Sequence, residues 1–140
     1  MDVSIIGASG DCGREIVAQL VGLGALSPTE RLQLVGRENG RSSQILFGLC
    51  SDLSDAYAEK APIFDVALSP EDIVADVIVM SAGATVGREI TSRPQLAKNN
   101  DDDFMAVAMG CDCLRVGLKN RQIVLCELWT RGNLSAHGCP

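Results

Sequence analysis

The chain has 140 residues, enough for one domain with a sizeable core; 46% of them are hydrophobic and only 4% aromatic, so aliphatic packing must dominate. A formal net charge of −6 argues against a nucleic-acid partner or an anionic membrane surface. No apolar run is long enough to span a bilayer and no secretory signal precedes the first apolar run, so the expected location is cytoplasmic.

Apolar runs and helical patterns alternate along the chain. A strand is expected at 2–7, followed by a helix at 12–22 whose apolar stripe is Ile16, Val17, Leu20 and Val21. A second strand is expected at 31–35. The helix that follows, at 42–57, carries Ile45, Leu46, Leu49, Leu53 and Ala56 on one face. Short strands are expected at 63–67 and 76–81. A loop rich in Gly, Arg and Thr then leads to a helix starting near Ser92, which the run Asn99-Asn100-Asp101-Asp102-Asp103 breaks or frays. A fifth strand is expected at 122–126, and 127–140 reads as an irregular tail.

Repeated βα units of this kind predict an α/β fold, a Rossmann-type doubly wound parallel sheet of five strands in the order 3-2-1-4-5. Residues 1–126 form the predicted domain. Six cysteines (Cys12, Cys50, Cys111, Cys113, Cys126 and Cys139) show no C-x-x-C spacing, so reduced, mostly packed thiols are expected and no metal site.

The most informative segment is Gly7-Ala8-Ser9-Gly10-Asp11-Cys12-Gly13, a G-x-x-G-x-x-G turn between the first strand and the first helix. In a dinucleotide-binding turn the first glycine permits the sharp exit from the strand. The second lets backbone approach a pyrophosphate, and the third lets the helix pack close, its N-terminus facing the anion. A glycine triplet alone is weak evidence; its position between an apolar strand and an amphipathic helix strengthens it.

Four segments in order resemble the N-terminal half of the lactate/malate dehydrogenase family, and the malate-dehydrogenase-like pattern is the better fit. They are the glycine turn, the run Leu32 to Gly36, the run Gly48 to Ala56, and Ala75 to Gly83 with Arg88, Arg93, Leu96 and Asn100 beyond it. The resemblance covers about residues 2–100. It implies hydride transfer between a nicotinamide cofactor and a 2-hydroxy or 2-oxo acid. Gly7, Ala8, Ser9, Gly10, Asp11, Cys12 and Gly13 would surround the cofactor pyrophosphate, and Ser81, Ala82 and Gly83 would pass beneath the nicotinamide ribose. Arg88 and Arg93 would clamp the substrate carboxylate, with Arg93 fitting the family spacing better than Arg88. Asn100 would sit near substrate and cofactor, with Asn99 competing for that role.

The end of the second strand departs from the family pattern for NAD. Where a carboxylate normally holds the adenosine ribose 2′-OH, the chain reads Gly36-Arg37-Glu38-Asn39-Gly40-Arg41. Gly36 removes the carboxylate and Arg37 offers a partner for a 2′-phosphate, so NADP is favoured over NAD, while Glu38 leaves NAD open.

A second departure lies near the C-terminus. The family's Ser-Asn-Pro segment is replaced by Cys126-Glu127-Leu128, and its catalytic Asp–His half has no counterpart. His137 lies in the tail without a matched Asp, so no catalytic residue is assigned. The chain reads as an incomplete cofactor-binding half, either truncated or frame-disrupted, with weak activity or none. A non-catalytic NAD(P)-binding regulatory module is the alternative, and homo-oligomerisation stays open. A short-chain dehydrogenase is disfavoured, because Lys60 follows Tyr57, the single tyrosine, by three residues where that class needs four.

Overall fold

The computed structural model describes residues 1–83 and 122–125. It begins with β1 (Val3–Ile6), α1 (Asp11–Gly22), β2 (Arg31–Val35) and α2 (Arg41–Tyr57). These are followed by β3 (Ile63–Ala67), a 3₁₀ turn at Pro70–Asp72, and β4 (Val77–Met80). The strands are parallel and ordered β3-β2-β1-β4. The segment Gln122–Leu125 lies parallel along the other side of β4, with Gln122 opposite Val77. The expected helix near Ser92, the break at 99–103 and the tail at 127–140 lie outside the described residues.

All four residues of β1 are buried, as are the last four of β2. Such continuous burial is what the middle of a parallel sheet covered on both faces requires. Val3, Ile5, Leu32 and Leu34 form one face, onto which both described helices pack through Val17, Val21 and Leu46. Each fully buried aliphatic side chain of this kind contributes about 1.5–3 kcal/mol. Ile6, Val35, Ile78 and Met80 belong to the opposite face, covered among the described residues by Ile73 and Ala75 of the β3–β4 connection.

The helical stripes are close to those expected. In α1, Val17 and Val21 are buried while Ile16 and Leu20 are partly buried against the core. The C-terminus of α1 closes with Gly24 N–H donating to the Val21 carbonyl and Ala25 N–H to the Leu20 carbonyl, the two bonds of a Schellman motif. In α2 the contacts come from Leu46, Leu49, Cys50 and Leu53, whereas Ala56 is exposed. The cause is length: 17 residues of helix run about 25 Å, and five residues of strand only about 17 Å, so the last turn of α2 outruns the sheet.

One polar group crosses the second face. Gln33, in the middle of β2, is buried, and its amide is fully used. Its Oε1 accepts from Ser4 Oγ at 2.8 Å and from Val74 N–H at 3.0 Å. Its Nε2 donates to Asp65 Oδ2 and to the Asp72 carbonyl, both at 3.0 Å. A single side chain thereby joins β1, β2, β3 and the connection that follows the 3₁₀ turn. The sequence pattern did not anticipate that turn.

Candidate functional site

The register brings the candidate residues to one edge. Ile6 stands opposite both Val35 and Met80, and Val35 opposite Ala67. The next residue of each central strand extends the ladder by one bond. Gly7 N–H donates to the Val35 carbonyl at 3.0 Å, Gly36 N–H to the Ala67 carbonyl at 3.0 Å, and Ser81 N–H to the Ile6 carbonyl at 2.9 Å. Gly7, Gly36 and Ser81 therefore all emerge at the carboxyl ends of the strands. The chain leaves β1 toward β2 on one side and returns to β4 on the other, which is the switch point where open α/β sheets take ligands.

The glycines in the turn have distinct duties. Gly7 has φ +83°, and a Cβ there would stand 2.6 Å from Ala82 N, so both the turn and the close approach of the segment after β4 require glycine. A side chain at Gly13 would run into the Gly7 carbonyl oxygen and come within 2.7 Å of Ala8 Cα, so the first turn of α1 sits tightly against the glycine loop. Gly10 differs from both. Among the described residues a Cβ there would meet only the Gly7 carbonyl oxygen, at a tight 3.3 Å, and Gly10 itself is exposed, so this side of the loop faces outward.

Gly10 is the N-cap of α1 and offers no side-chain cap; its carbonyl accepts the Arg14 N–H at 2.9 Å. The first-turn N–H groups of a helix have no partner within the helix and carry partial positive charge. Here they belong to Asp11, Cys12 and Gly13. The Asp11 carboxylate accepts from Arg14 Nη2 at 2.6 Å, which offsets its charge beside this positive end. Cys12 is exposed, contrary to the expectation of a packed thiol, because the buried stripe of α1 runs through Gly13, Val17 and Val21 and residue 12 points about 100° away from it. Cys50 does fit that expectation: it is half-buried, and its thiol is pushed up to about 11, first by burial and then by the Asp65 charge.

The fit to a dinucleotide is a question of room and donors. An anion needs backbone that can approach it and N–H groups that point at it. The Gly7–Gly13 loop combines an outward-facing side at Gly10 with the start of a 12-residue helix. On the β4 side, Ser81 Oγ donates to the Ile6 carbonyl at 2.7 Å, which fixes Ser81 and Ala82 under the loop. Ser81 and Ala82 are partly buried, and Gly83 is exposed. On the β2 side, Gly36 is partly buried and Arg37 exposed. Arg88, Arg93 and Asn100, together with the competitor Asn99 and the tail residue His137, lie outside the described residues.

The sequence reading missed Ser42 at this edge, and placed Leu46 in the core without foreseeing its position beside Gly36. Ser42, in the first turn of α2, has its hydroxyl 2.7 Å from Ser9 Oγ in the glycine loop. Leu46, one turn later, is fully buried beside Gly36. A pair of serines after Gly40 was the available signal, but nothing in the spacing says that one of them reaches back to residue 9.

No family model matches the sequence, and no curated protein matches it. Solved structures do match. Malate dehydrogenase from Naegleria fowleri is similar with a TM-score of 0.67 at 17% identity, over 89% of this chain and 37% of that one. The chain has the fold of part of the malate and lactate dehydrogenases. A lactate dehydrogenase from Trichomonas vaginalis in complex with NADH and oxamate matches with a TM-score of 0.63 at 18% identity, over 89% and 36% of the two chains. Malate dehydrogenase from Archaeoglobus fulgidus in complex with NADH matches with a TM-score of 0.63 at 20% identity, over 89% and 40%. The chain thus spans well under half the length of these structures. Among the described residues, no helix is long and apolar enough to cross a membrane.

Proposed function

We propose that the chain binds a nicotinamide dinucleotide at its glycine turn, as the cofactor-binding part of an oxidoreductase of the malate/lactate dehydrogenase type. The observation that carries this reading is the outward-facing side of the loop at Gly10, set against the N-terminus of α1 at the switch point between β1 and β4. The bound cofactor would supply hydride transfer. Gly7, Gly10 and Gly13 with the N–H groups of Asp11 and Cys12 would hold the pyrophosphate, and Ser81-Ala82-Gly83 would support the nicotinamide ribose. Arg88, Arg93 and Asn100 would grip a 2-oxo acid. In this reading Gln122–Leu125 completes a five-stranded, doubly wound domain over residues 1–126. Gly36 without a carboxylate and Arg37 beside it favour NADP over NAD.

The test is calorimetric titration of NADH and NADPH into the protein and into Gly10→Val. Binding by the unmodified chain, with loss in the variant and an unchanged melting curve, is expected, because residue 10 meets little protein and would fill the room left for phosphate. Equal affinity in the two proteins overturns the proposal.

A further inference from the structure

We infer that Arg14 is a ligand of the cofactor pyrophosphate, held ready by Asp11, whose carboxylate competes with the phosphates for it. The inference rests on the dinucleotide reading above and deepens it. Its starting point is a charge placed against helix stability. A helix N-terminus carries partial positive charge and favours anions, so a cation there works against the dipole. Arg14 stands one turn into α1, its N–H on the Gly10 carbonyl at 2.9 Å. Helical side chains lean toward the N-terminus, and the guanidinium follows that rule back to residue 11, where Nη2 donates to Asp11 Oδ1 at 2.6 Å. The cation therefore sits at the lip of the glycine loop.

Stability does not explain the pair. The Arg14 side chain is 49% exposed and that of Asp11 97%, and an ion pair so open to water adds little. Nor does Asp11 cap the helix: Gly10 is the N-cap, and no side-chain bond closes it. What the pair does change is the charge that an arriving anion meets. Gly10, Asp11 and Cys12 are all exposed, so this turn is the face that a phosphate would approach. Asp11 alone would repel each phosphate at short range, and Arg14 offsets that charge. The bond runs through one nitrogen of a planar fork, and such a fork binds phosphate oxygens in pairs. An exposed pair parts at small cost, so Arg14 can pass from the carboxylate to the pyrophosphate. Asp11 thus keeps Arg14 at the lip and lowers affinity at the same time. The pyrophosphate is common to both nicotinamide dinucleotides, so the pair sets how tightly either is held and makes no choice between them.

The experiment titrates NADH and NADPH into the protein, Asp11→Asn and Arg14→Gln at low and high salt, with a thermal melt of each. Asp11→Asn keeps the shape and removes the competing charge. It is expected to tighten both nucleotides by about two- to fivefold. Arg14→Gln leaves Asp11 unopposed and is expected to weaken both by about tenfold, with a smaller loss of affinity as salt rises. Melting temperatures should stay together, because the pair is exposed. Should one variant fail to fold, the other decides alone. The assignment is overturned if Asp11→Asn binds no more tightly, or if Arg14→Gln binds as well as the unmodified protein; loss in Gly10→Val would then leave the dinucleotide reading standing. An unmodified chain that binds neither nucleotide overturns both.

Discussion

Ser4 Oγ donates to Gln33 Oε1 at 2.8 Å across the β1–β2 pair, with both residues sealed from solvent. Gln33↔Ser4 is also a register pair, so the bond runs between side chains placed opposite one another on one face of the sheet. Replacing Gln33 by Met keeps the volume but strands the Val74 N–H, the Asp72 carbonyl and the Ser4 hydroxyl. A loss of roughly 2–4 kcal/mol in urea unfolding is expected, against about 1 kcal/mol for Ser4→Ala, with less than additive losses in the double variant. Additive losses would mean that the two side chains are not coupled.

The glycine loop should respond very differently at two of its positions. Gly13→Ala drives a methyl into the Gly7 carbonyl and Ala8 backbone, so a loss of roughly 1–3 kcal/mol or more is expected from overpacking. Gly10→Ala meets one oxygen at 3.3 Å and should shift stability by less than about 1 kcal/mol. Paired denaturation curves test the ranking, and equal losses would contradict it.

Cysteine chemistry offers a site-specific readout. Cys12 is exposed beside the outward-facing side of the loop, whereas the Cys50 thiol is pushed up to about 11 by burial and by Asp65. The thiolate is the reactive form, so iodoacetamide at pH 8 should label Cys12 well before Cys50 in peptide mass mapping. NADPH should slow labelling of Cys12 and leave Cys50 unchanged. Because folding keeps Cys50 protonated, its stabilising contribution is present below its ordinary value of 9.0 and is lost as pH rises from there through about 11. Equal labelling rates, or no protection at Cys12, would count against the placement of the ligand.

Turnover should be weak or absent in these 140 residues. The sequence holds a single histidine, His137, to which no catalytic role is assigned, and general acid–base catalysis contributes about 10²–10⁴-fold. Oxaloacetate and pyruvate reduction with NADH and NADPH is the assay. Rates in the ordinary enzyme range of about 1–10³ s⁻¹, abolished by His137→Asn, would assign catalysis to that residue.

Much of this was legible because it is written locally. The spacing of Gly7, Gly10 and Gly13 encodes a backbone path, and the four described apolar runs fall where β1 to β4 form, in the anticipated order. The contact of Ser42 with Ser9 was not legible, since it arises only when folding brings α2 beside the glycine loop, and no periodicity reports that. Gln33 sat unremarked in an apolar run; its role needs partners from β1, β3 and the turn after it. Ala56 shows the reverse failure, because a helical pattern fixes direction around an axis and says nothing about where the sheet beneath it stops.

The contact between Gly7 and Ala82 has a consequence for the order of assembly. The loop's floor is backbone from 75 residues downstream, and Ser81 reaches the Ile6 carbonyl through both its N–H and its hydroxyl. A strand–loop–helix piece containing only β1 and α1 has the glycines but no floor to shape them. The loop can take its final form only once β4 has docked, a distant contact that forms against the entropy of a long closed loop. Competence for a ligand therefore waits on the docking of β4. A nascent chain would display the whole glycine sequence well before it could grip anything.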